Sequence, residues 1–301
     1  MCGIVGFFGE GNKQLIQKMT DAMEHRGPDD TGFYVNHVDK VYLGHKRLSI
    51  VDLETGQQPM FNIQKTLCIV FNGEIYNHRE LKNELELKGY KFKSDHSDTE
   101  VILNGFEEWG VNVLNRLNGM FAFAFLDLRK RRLFLARDPY GVKPLYYRSQ
   151  KGRFSFASEI KPLLDGQETA DPAIVHRYLR YAVTDADERT FFSGIKQVLP
   201  GQCLEIPIDS PDKYTASFFA DEPALSDSAT SGSYESAVND VRELFRESVR
   251  IHLRSDAPLA LTLSGGIDSS GIAAMARKCV GSEHKIHAFT YCAQDKALNE
   301  R

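Results

Sequence analysis

The chain has 301 residues, a net charge of −4, 42% hydrophobic residues and 26% charged residues. This is ordinary globular material with room for two domains, and it has no basic surplus of the kind a nucleic-acid partner needs. No apolar run reaches membrane-span length, the N-terminus has no basic-then-apolar leader, and Cys2, Cys68, Cys203, Cys279 and Cys292 form neither a zinc set nor a CxxC pair, so a cytoplasmic, reducing setting is expected.

Residues 3–8 form a short apolar run that reads as a strand buried on both faces, and Cys2 stands directly before it. Aminopeptidases remove Met1 readily when the next side chain is small. Cys2 would then carry both a thiol, of pKa about 8.5, and a free α-amino group, of pKa about 7.7–8.0, so one residue would supply nucleophile and base. The bland alternative is a small residue that happens to open a strand. Leu15, Ile16, Met19 and Met23 predict a helix over 12–24, and His25 to Gly32 is a loop by its Gly and Pro content. Strands are expected near 32–37 and 40–45, then a Gly-Gln-Gln-Pro turn at 56–59 and a strong strand from Leu67 to Phe71 that ends at Asn72-Gly73-Glu74. A helix over 78–88 uses Leu81, Leu85 and Leu87 as its apolar positions, and Ser97 with Glu100 reads as a capping box opening the next helix. Gly119 to Leu126 is a buried strand with a hairpin return over 132–136. Arg137 to Tyr147 is a loop running into a strand, Phe154 to Ala157 is a further strand, and short helices follow near 159–164 and 171–181. Antiparallel hairpins with a few helices suggest stacked sheets under helical outer layers.

Met1-Cys2-Gly3-Ile4-Val5-Gly6, His25-Arg26-Gly27-Pro28-Asp29, Arg47-Leu48-Ser49-Ile50, Asn72-Gly73-Glu74, Ser97-Asp98-Thr99 and Arg137-Asp138-Pro139 together resemble the class II glutamine amidotransferase domain, over about residues 2–206. The resemblance implies an α+β fold, the αββα sandwich of N-terminal-nucleophile hydrolases. It makes Cys2 the nucleophile and gives the oxyanion hole to the Asn72 side chain and the Gly73 N–H. Glutamine would lie against Arg47, Leu48, Ser49, Ile50, Val51, Asn72, Gly73, Glu74 and Asp98, with Arg47 on its α-carboxylate and Asp98, helped by Glu74, on its α-ammonium. Read without the resemblance, Arg47 is as well explained by a surface salt bridge and Asp98 by a helix N-terminus.

Residues 191–206 resemble the closing hairpin of that domain, and 207–233, with Pro207, Pro211, Pro223 and a Ser/Asp/Thr/Gly run, read as a linker. Ser233 is a candidate cap for a helix whose stripe is Val238, Val241, Leu244, Phe245, Val249 and Leu253. From there, 234–301 reads as the beginning of an α/β parallel-sheet nucleotide-binding domain. A strand over 258–263 delivers Ser264-Gly265-Gly266-Ile267-Asp268-Ser269-Ser270 to a helix N-terminus, an anion cradle of backbone N–H groups, and 285–291 reads as a second parallel strand. The Ser-Gly-Gly-x-Asp-Ser string resembles the pyrophosphate loop of the ATP pyrophosphatases. By that resemblance Ser264, Gly265, Gly266, Asp268 and Ser269 hold ATP, backbone near Leu263 and Tyr291 lines the adenine, and Asp268 is a candidate Mg²⁺ ligand.

A class II glutaminase followed by this loop resembles the glutamine-hydrolysing asparagine synthetases. The expected partners are then glutamine, aspartate and ATP, with no nucleic acid, no membrane, and a homodimer as an open option. The sequence reaches Arg301 before the acceptor pocket of that family, so this polypeptide alone is expected to act as a glutaminase. Rival readings are an amidotransferase for another carboxylate, or a non-catalytic regulatory protein keeping the fold.

Overall fold

The computed structural model describes residues 1–150, 152–220, 233–281 and 285–294. The chain divides into two compact units, Met1–Pro223 and Ala224–Arg301. In the first unit the elements run β1 (Gly3–Phe8), α1 (Lys13–Asp21), β2 (Asp30–Asn36), β3 (Val41–Arg47), β4 (Met60–Phe61), β5 (Leu67–Ile75), α2 (His78–Leu87), α3 (Asp98–Trp109) and β6 (Gly119–Asp127). They continue with β7 (Arg132–Arg137), β8 (Tyr146–Gln150), β9 (Arg153–Ala157), α4 (Pro172–Tyr181), β10 (Lys196–Gln197), β11 (Gln202–Pro207) and β12 (Thr215–Phe218).

These strands form two antiparallel sheets of six, in the orders β10-β8-β9-β1-β3-β2 and β12-β11-β7-β6-β5-β4. Side-chain alternation explains the layering. Along β1, Ile4 and Phe8 join the core between the sheets, while Val5 and Phe7 pack with Ile16 and Met19 of α1. Along β6, Ala122, Ala124 and Leu126 face the inter-sheet core, while Phe121, Phe123 and Phe125 pack under α2 and α3 with Leu85, Ile102 and Phe106. Small residues toward the facing sheet and phenylalanines toward the helices allow close sheet packing, and each buried large side chain contributes about 1.5–3 kcal/mol. The result is the expected αββα sandwich.

Several local expectations need correction. β5 does not stop at Phe71; it continues through Asn72, Gly73 and Glu74 to Ile75, paired with β6. Leu87 is 90% exposed and contributes nothing to the core. The Ser97–Glu100 capping box does not form, since Ser97 makes no side-chain cap bond and the Glu100 carboxylate accepts the backbone N–H groups of Lys93 and Ser94 instead. The segment 191–206 is not a hairpin: β10 pairs with β8 in one sheet and β11 with β7 in the other, so the chain crosses between layers. The helix near 159–164 is a single 3-10 turn over Lys161–Leu163. After Pro207 the chain does not run straight into linker, because β12 adds an edge strand to β11.

The second unit contains α5 (Tyr234–His252), β13 (Ala260–Thr262), α6 (Ile267–Val280) and β14 (His287–Phe289). Ser233 caps α5, its Oγ accepting the Ser236 N–H at 3.2 Å. β13 and β14 pair in parallel, as a βαβ unit requires.

Gly6 has no space for a side chain: a Cβ there would lie 2.6 Å from the Phe156 ring and 2.8 Å from Leu43. Gly6→Ala is therefore expected to destabilise the first unit by about 1–3 kcal/mol through overpacking. Urea midpoints at unchanged m-value measure this, and equal midpoints would mean the two sheets have slack at β1.

Candidate active site

The ends of several elements converge on one cavity. β1 begins there with Cys2, β3 ends there with Arg47, and β5 passes Asn72, Gly73 and Glu74 along its wall. α3 starts there with Asp98. Leu48, Ile50 and Val51 complete the expected lining. Ser49 is not part of it, and its N–H donates to Asp29 Oδ2 at 2.8 Å.

Cys2 is clamped from both sides. The Leu48 N–H donates to Sγ at 3.4 Å, and the thiol faces the Leu48 carbonyl at 3.5 Å. The Arg26 Nε donates to the Cys2 carbonyl at 2.8 Å and its Nη1 to Glu159 at 2.9 Å, which gives the His-Arg-Gly-Pro loop a role in fixing the N-terminus. Burial pushes the Cys2 thiol up, and the Leu48 N–H pulls it partly back. With Met1 attached, the Cys2 nitrogen is a peptide nitrogen and cannot act as a base.

Asn72 is 1% exposed, and among the described residues its Nδ2 has no hydrogen-bond partner. A buried amide donor left open costs free energy unless something comes to accept from it. Gly73 is required for packing: a Cβ would overlap the Met120 carbonyl oxygen on β6. Arg47 is buried with Nη1 on the Leu53 carbonyl at 3.1 Å and Nη2 on the Asp52 and Val51 carbonyls at 2.5 and 3.4 Å. Of five guanidinium N–H groups, the one on Nε and one on Nη1 make no hydrogen bond among the described residues. Asp98 Oδ2 accepts the Ile75 N–H at 3.0 Å, tying α3 to β5. Burial nevertheless pushes Asp98 up to about 6, and burial together with the Asp98 charge pushes Glu74 up to about 7.

In the second unit the strand–loop–helix turn is braced by its own serines. Ser269 Oγ accepts the Ser264 N–H at 3.2 Å and lies 3.1 Å from Ser264 Oγ, while Ser264 Oγ accepts the Gly266 N–H at 3.4 Å. Leu263 extends the parallel ladder by donating to the Phe289 carbonyl at 2.8 Å, and Tyr291 lies exposed just beyond β14. Asp268 opens α6, but among the described residues no group of three or more acidic, His or Cys side chains could hold a metal ion.

Residues 1–216 match the glutamine amidotransferase domain family. The chain belongs to the glutamine amidotransferases. Residues 240–301 match the asparagine synthase family. The chain is 38% identical over 288 residues to glutamine-hydrolysing asparagine synthetase 1 of Bacillus subtilis strain 168, covering 92% of this chain and 44% of that protein. It is 34% identical over 313 residues to amidase chry2 of Gibberella zeae, covering 95% of this chain and 44% of that protein. It thus spans less than half the length of both curated relatives. The solved glutamine phosphoribosylpyrophosphate amidotransferase from B. subtilis shares the fold, with a TM-score of 0.55 at 18% identity over 99% of this chain and 70% of that one.

Gln58 and Lys143 are among the residues of this amidotransferase cavity that went unread in the sequence. Gln58 braces it from behind, its Oε1 accepting the Phe71 N–H at 2.6 Å and its Nε2 reaching Thr99 Oγ1 at 3.3 Å. Lys143 is buried in its wall. The first sits in a sequence read only as a turn and the second in one read only as a loop, and neither carries a local signal of its partners.

The raised carboxyl groups make a stability prediction. Glu74 binds its proton more tightly folded than unfolded, where its pKa is about 4.3, so its contribution is full below that value and lost as pH rises through about 7. Glu74→Gln should raise the melting temperature by a few degrees at pH 8 and leave it unchanged near pH 4. Equal melting curves at pH 8 would mean that the carboxylate is compensated in the folded protein.

Proposed function

We propose that the first unit hydrolyses glutamine at Cys2, and that in the whole protein the released ammonia is used to amidate a carboxylate activated by ATP. The observation that carries this reading is the open, buried Asn72 Nδ2 in the same cavity as the Cys2 thiol. A transient oxyanion is the acceptor that donor lacks, and a neutral amide meets it without a charge to desolvate.

Removal of whatever precedes Cys2 frees its α-amine, which takes the thiol proton. The thiolate attacks the side-chain amide carbon of glutamine, and the oxyanion is held by Asn72 Nδ2 and the Gly73 N–H. The ammonium on Cys2 returns its proton to the amide nitrogen as the C–N bond breaks, leaving ammonia and a glutamyl thioester. Water, losing a proton to the same amine, then attacks the thioester and releases glutamate and the thiol. The two available N–H groups of Arg47 suit the substrate α-carboxylate, and Asp98 with Glu74 suits its α-ammonium. Leu48, Ile50 and Val51 shape the walls.

For the second unit, the serine-braced loop of 264–269 before α6 suits the phosphates of ATP, with backbone at Leu263 and Tyr291 near the base; Mg²⁺ would come to Asp268 only with the nucleotide phosphates as further ligands. Asparagine synthesis from aspartate is the favoured whole-protein activity because the synthase match covers 240–301. The similarity to amidase chry2 supports a second reading, amidation of a different carboxylate.

Glutamate release from glutamine by the purified chain tests the first step. Cys2→Ala, or any residue left before Cys2, is expected to abolish it. Undiminished turnover by an N-terminally extended, unprocessed chain would rule out the shared nucleophile and base. Asn72→Ala should lower kcat by about 10²–10³ with little change in KM, because a hole donor acts on the transition state. Arg47→Ala should mainly raise KM, because the α-carboxylate is bound equally in ground and transition states. The reverse pattern would exchange the two roles.

A further inference from the structure

Lys143 is 6% exposed, and among the described residues its ammonium makes no hydrogen bond and no ion pair. The side chain is enclosed while its ammonium keeps contact with solvent in the cavity, and a lysine held in this way calls for a reason. Lys46, equally buried, pairs with Glu24 and lies 3.5 Å from Asp21. Nor is Lys143 loosely placed. The buried Asp138 carboxylate accepts the backbone N–H groups of Tyr140 at 3.1 Å, Val142 at 2.9 Å and Lys143 at 3.0 Å, and that of Phe121 on β6 at 3.2 Å. The loop is thereby pinned with Lys143 in the wall of the Cys2 cavity.

Glu74 lines the same cavity and is its counterpart: its carboxylate also has no hydrogen bond or ion pair among the described residues. Two carboxylates, Glu74 and Asp98, share this pocket, and like charges in a buried pocket resist joint ionisation. The other cations nearby are Arg47 and Arg26, whose bonds go elsewhere, and the N-terminal ammonium, on which Lys143 also acts. Arg47 serves the carbonyls of Leu53, Val51 and Asp52, and Arg26 serves the Cys2 carbonyl and Glu159. Among the charges acting on Glu74, Asp98 opposes its ionisation and Lys143 favours it. Those acting on Lys143 are Glu74 first, then Cys2, Arg26 and Asp138.

We propose that Lys143 is a positioning residue for glutamine binding, which keeps the Glu74 carboxylate ionised so that it can take the substrate α-ammonium beside Asp98. The separation is part of the device. A lysine in direct contact would occupy the carboxylate oxygens and compete with the substrate, whereas one beyond ion-pair distance biases the charge and leaves those oxygens free. The role rests on the glutaminase reading above.

The test uses the full chain processed to Cys2, with steady-state glutaminase profiles from pH 5.5 to 9 for the parent, Lys143→Met and Lys143→Arg. Lys143→Met removes the charge and keeps an unbranched side chain, and melting curves verify that it folds. It is expected to raise KM for glutamine at pH 7 by about fivefold with kcat within about twofold, and to move the acid limb of kcat/KM up by about one pH unit. The two profiles should converge near pH 9, and Lys143→Arg should keep the parent profile. In a Glu74→Gln background, Lys143→Met should change neither KM nor the limb further. An unmoved limb, a fall in kcat at constant KM (a role at the Cys2 thiolate instead), or a full further loss in the Glu74→Gln background would overturn the proposal. A parent that releases no glutamate would sink the glutaminase reading and this role with it; a parent that turns over with an unmoved Lys143→Met limb would sink only this role.

Discussion

Face-to-face packing of two antiparallel sheets fixes where β1 begins, and through it where Cys2 sits. β1 is committed on both faces, to the opposite sheet through Ile4 and Phe8 and to α1 through Val5 and Phe7. A slip of one residue would exchange the two sets and put Val5 or Phe7 where Gly6 now lets Phe156 and Leu43 approach. The layers are also tied by a polar contact, His45 Nε2 on β3 to the Phe71 carbonyl on β5 at 3.1 Å, and burial pushes His45 down to about 4, so the link stays neutral at ordinary pH. Cys2, Arg47 and Asn72 each stand at or near the end of a strand held in this way, and their mutual placement follows from strand register rather than from loops.

The burial that gives this precision also sets the electrostatics. It raises the Cys2 thiol, Glu74 and Asp98 together, so the cavity disfavours negative charge before a ligand arrives. A thiol in that position needs a base on hand, and an α-amine on the same residue is as near as chemistry allows. The two carboxyl groups would likewise gain charge if a cation came to them. Folded-state stability given up at such a site is recovered when substrate binds, a common exchange between stability and function.

What the sequence made legible was periodic or positional. The two-faced burial of β1, the β6–β7 hairpin, the Ser233 cap and the parallel β13–β14 pair all follow from short patterns in neighbouring residues. What it hid was decided by distant partners. Ser97 and Glu100 have capping-box spacing, yet Glu100 spends both oxygens on the N–H groups of Lys93 and Ser94. β10 and β11 look like one hairpin because the Pro200-Gly201 turn between them is hairpin-like, but β8 and β7 claim them for different sheets. Of the candidate site, the residues in recognisable motifs were readable. Gln58 and Lys143 were not, because their work is defined by Phe71, Thr99 and Asp138, each far along the chain or hidden in a loop.

The two units differ in what holds them. In the first, helices cover the outer faces of both sheets. In the second, Val241 is 66% and Leu244 71% exposed, Phe289 on β14 is also exposed, and a groove among Phe245, Leu259, Leu261 and Ile272 stays open. A two-stranded parallel sheet buries little, so burial alone cannot dictate the conformation of the loop over 264–269. The loop is ordered by another means. Ser264 and Ser269 bond to each other and to the backbone at Ser264 and Gly266, and Gly265 takes the left-handed conformation, φ +78°, that the turn demands. Hydroxyl cross-bonds of this kind need no covering layer. An anion entering the loop therefore meets N–H groups whose direction is set locally by Ser264, Gly265 and Ser269, whereas at Cys2 the direction of every group is set by the packing of two whole sheets.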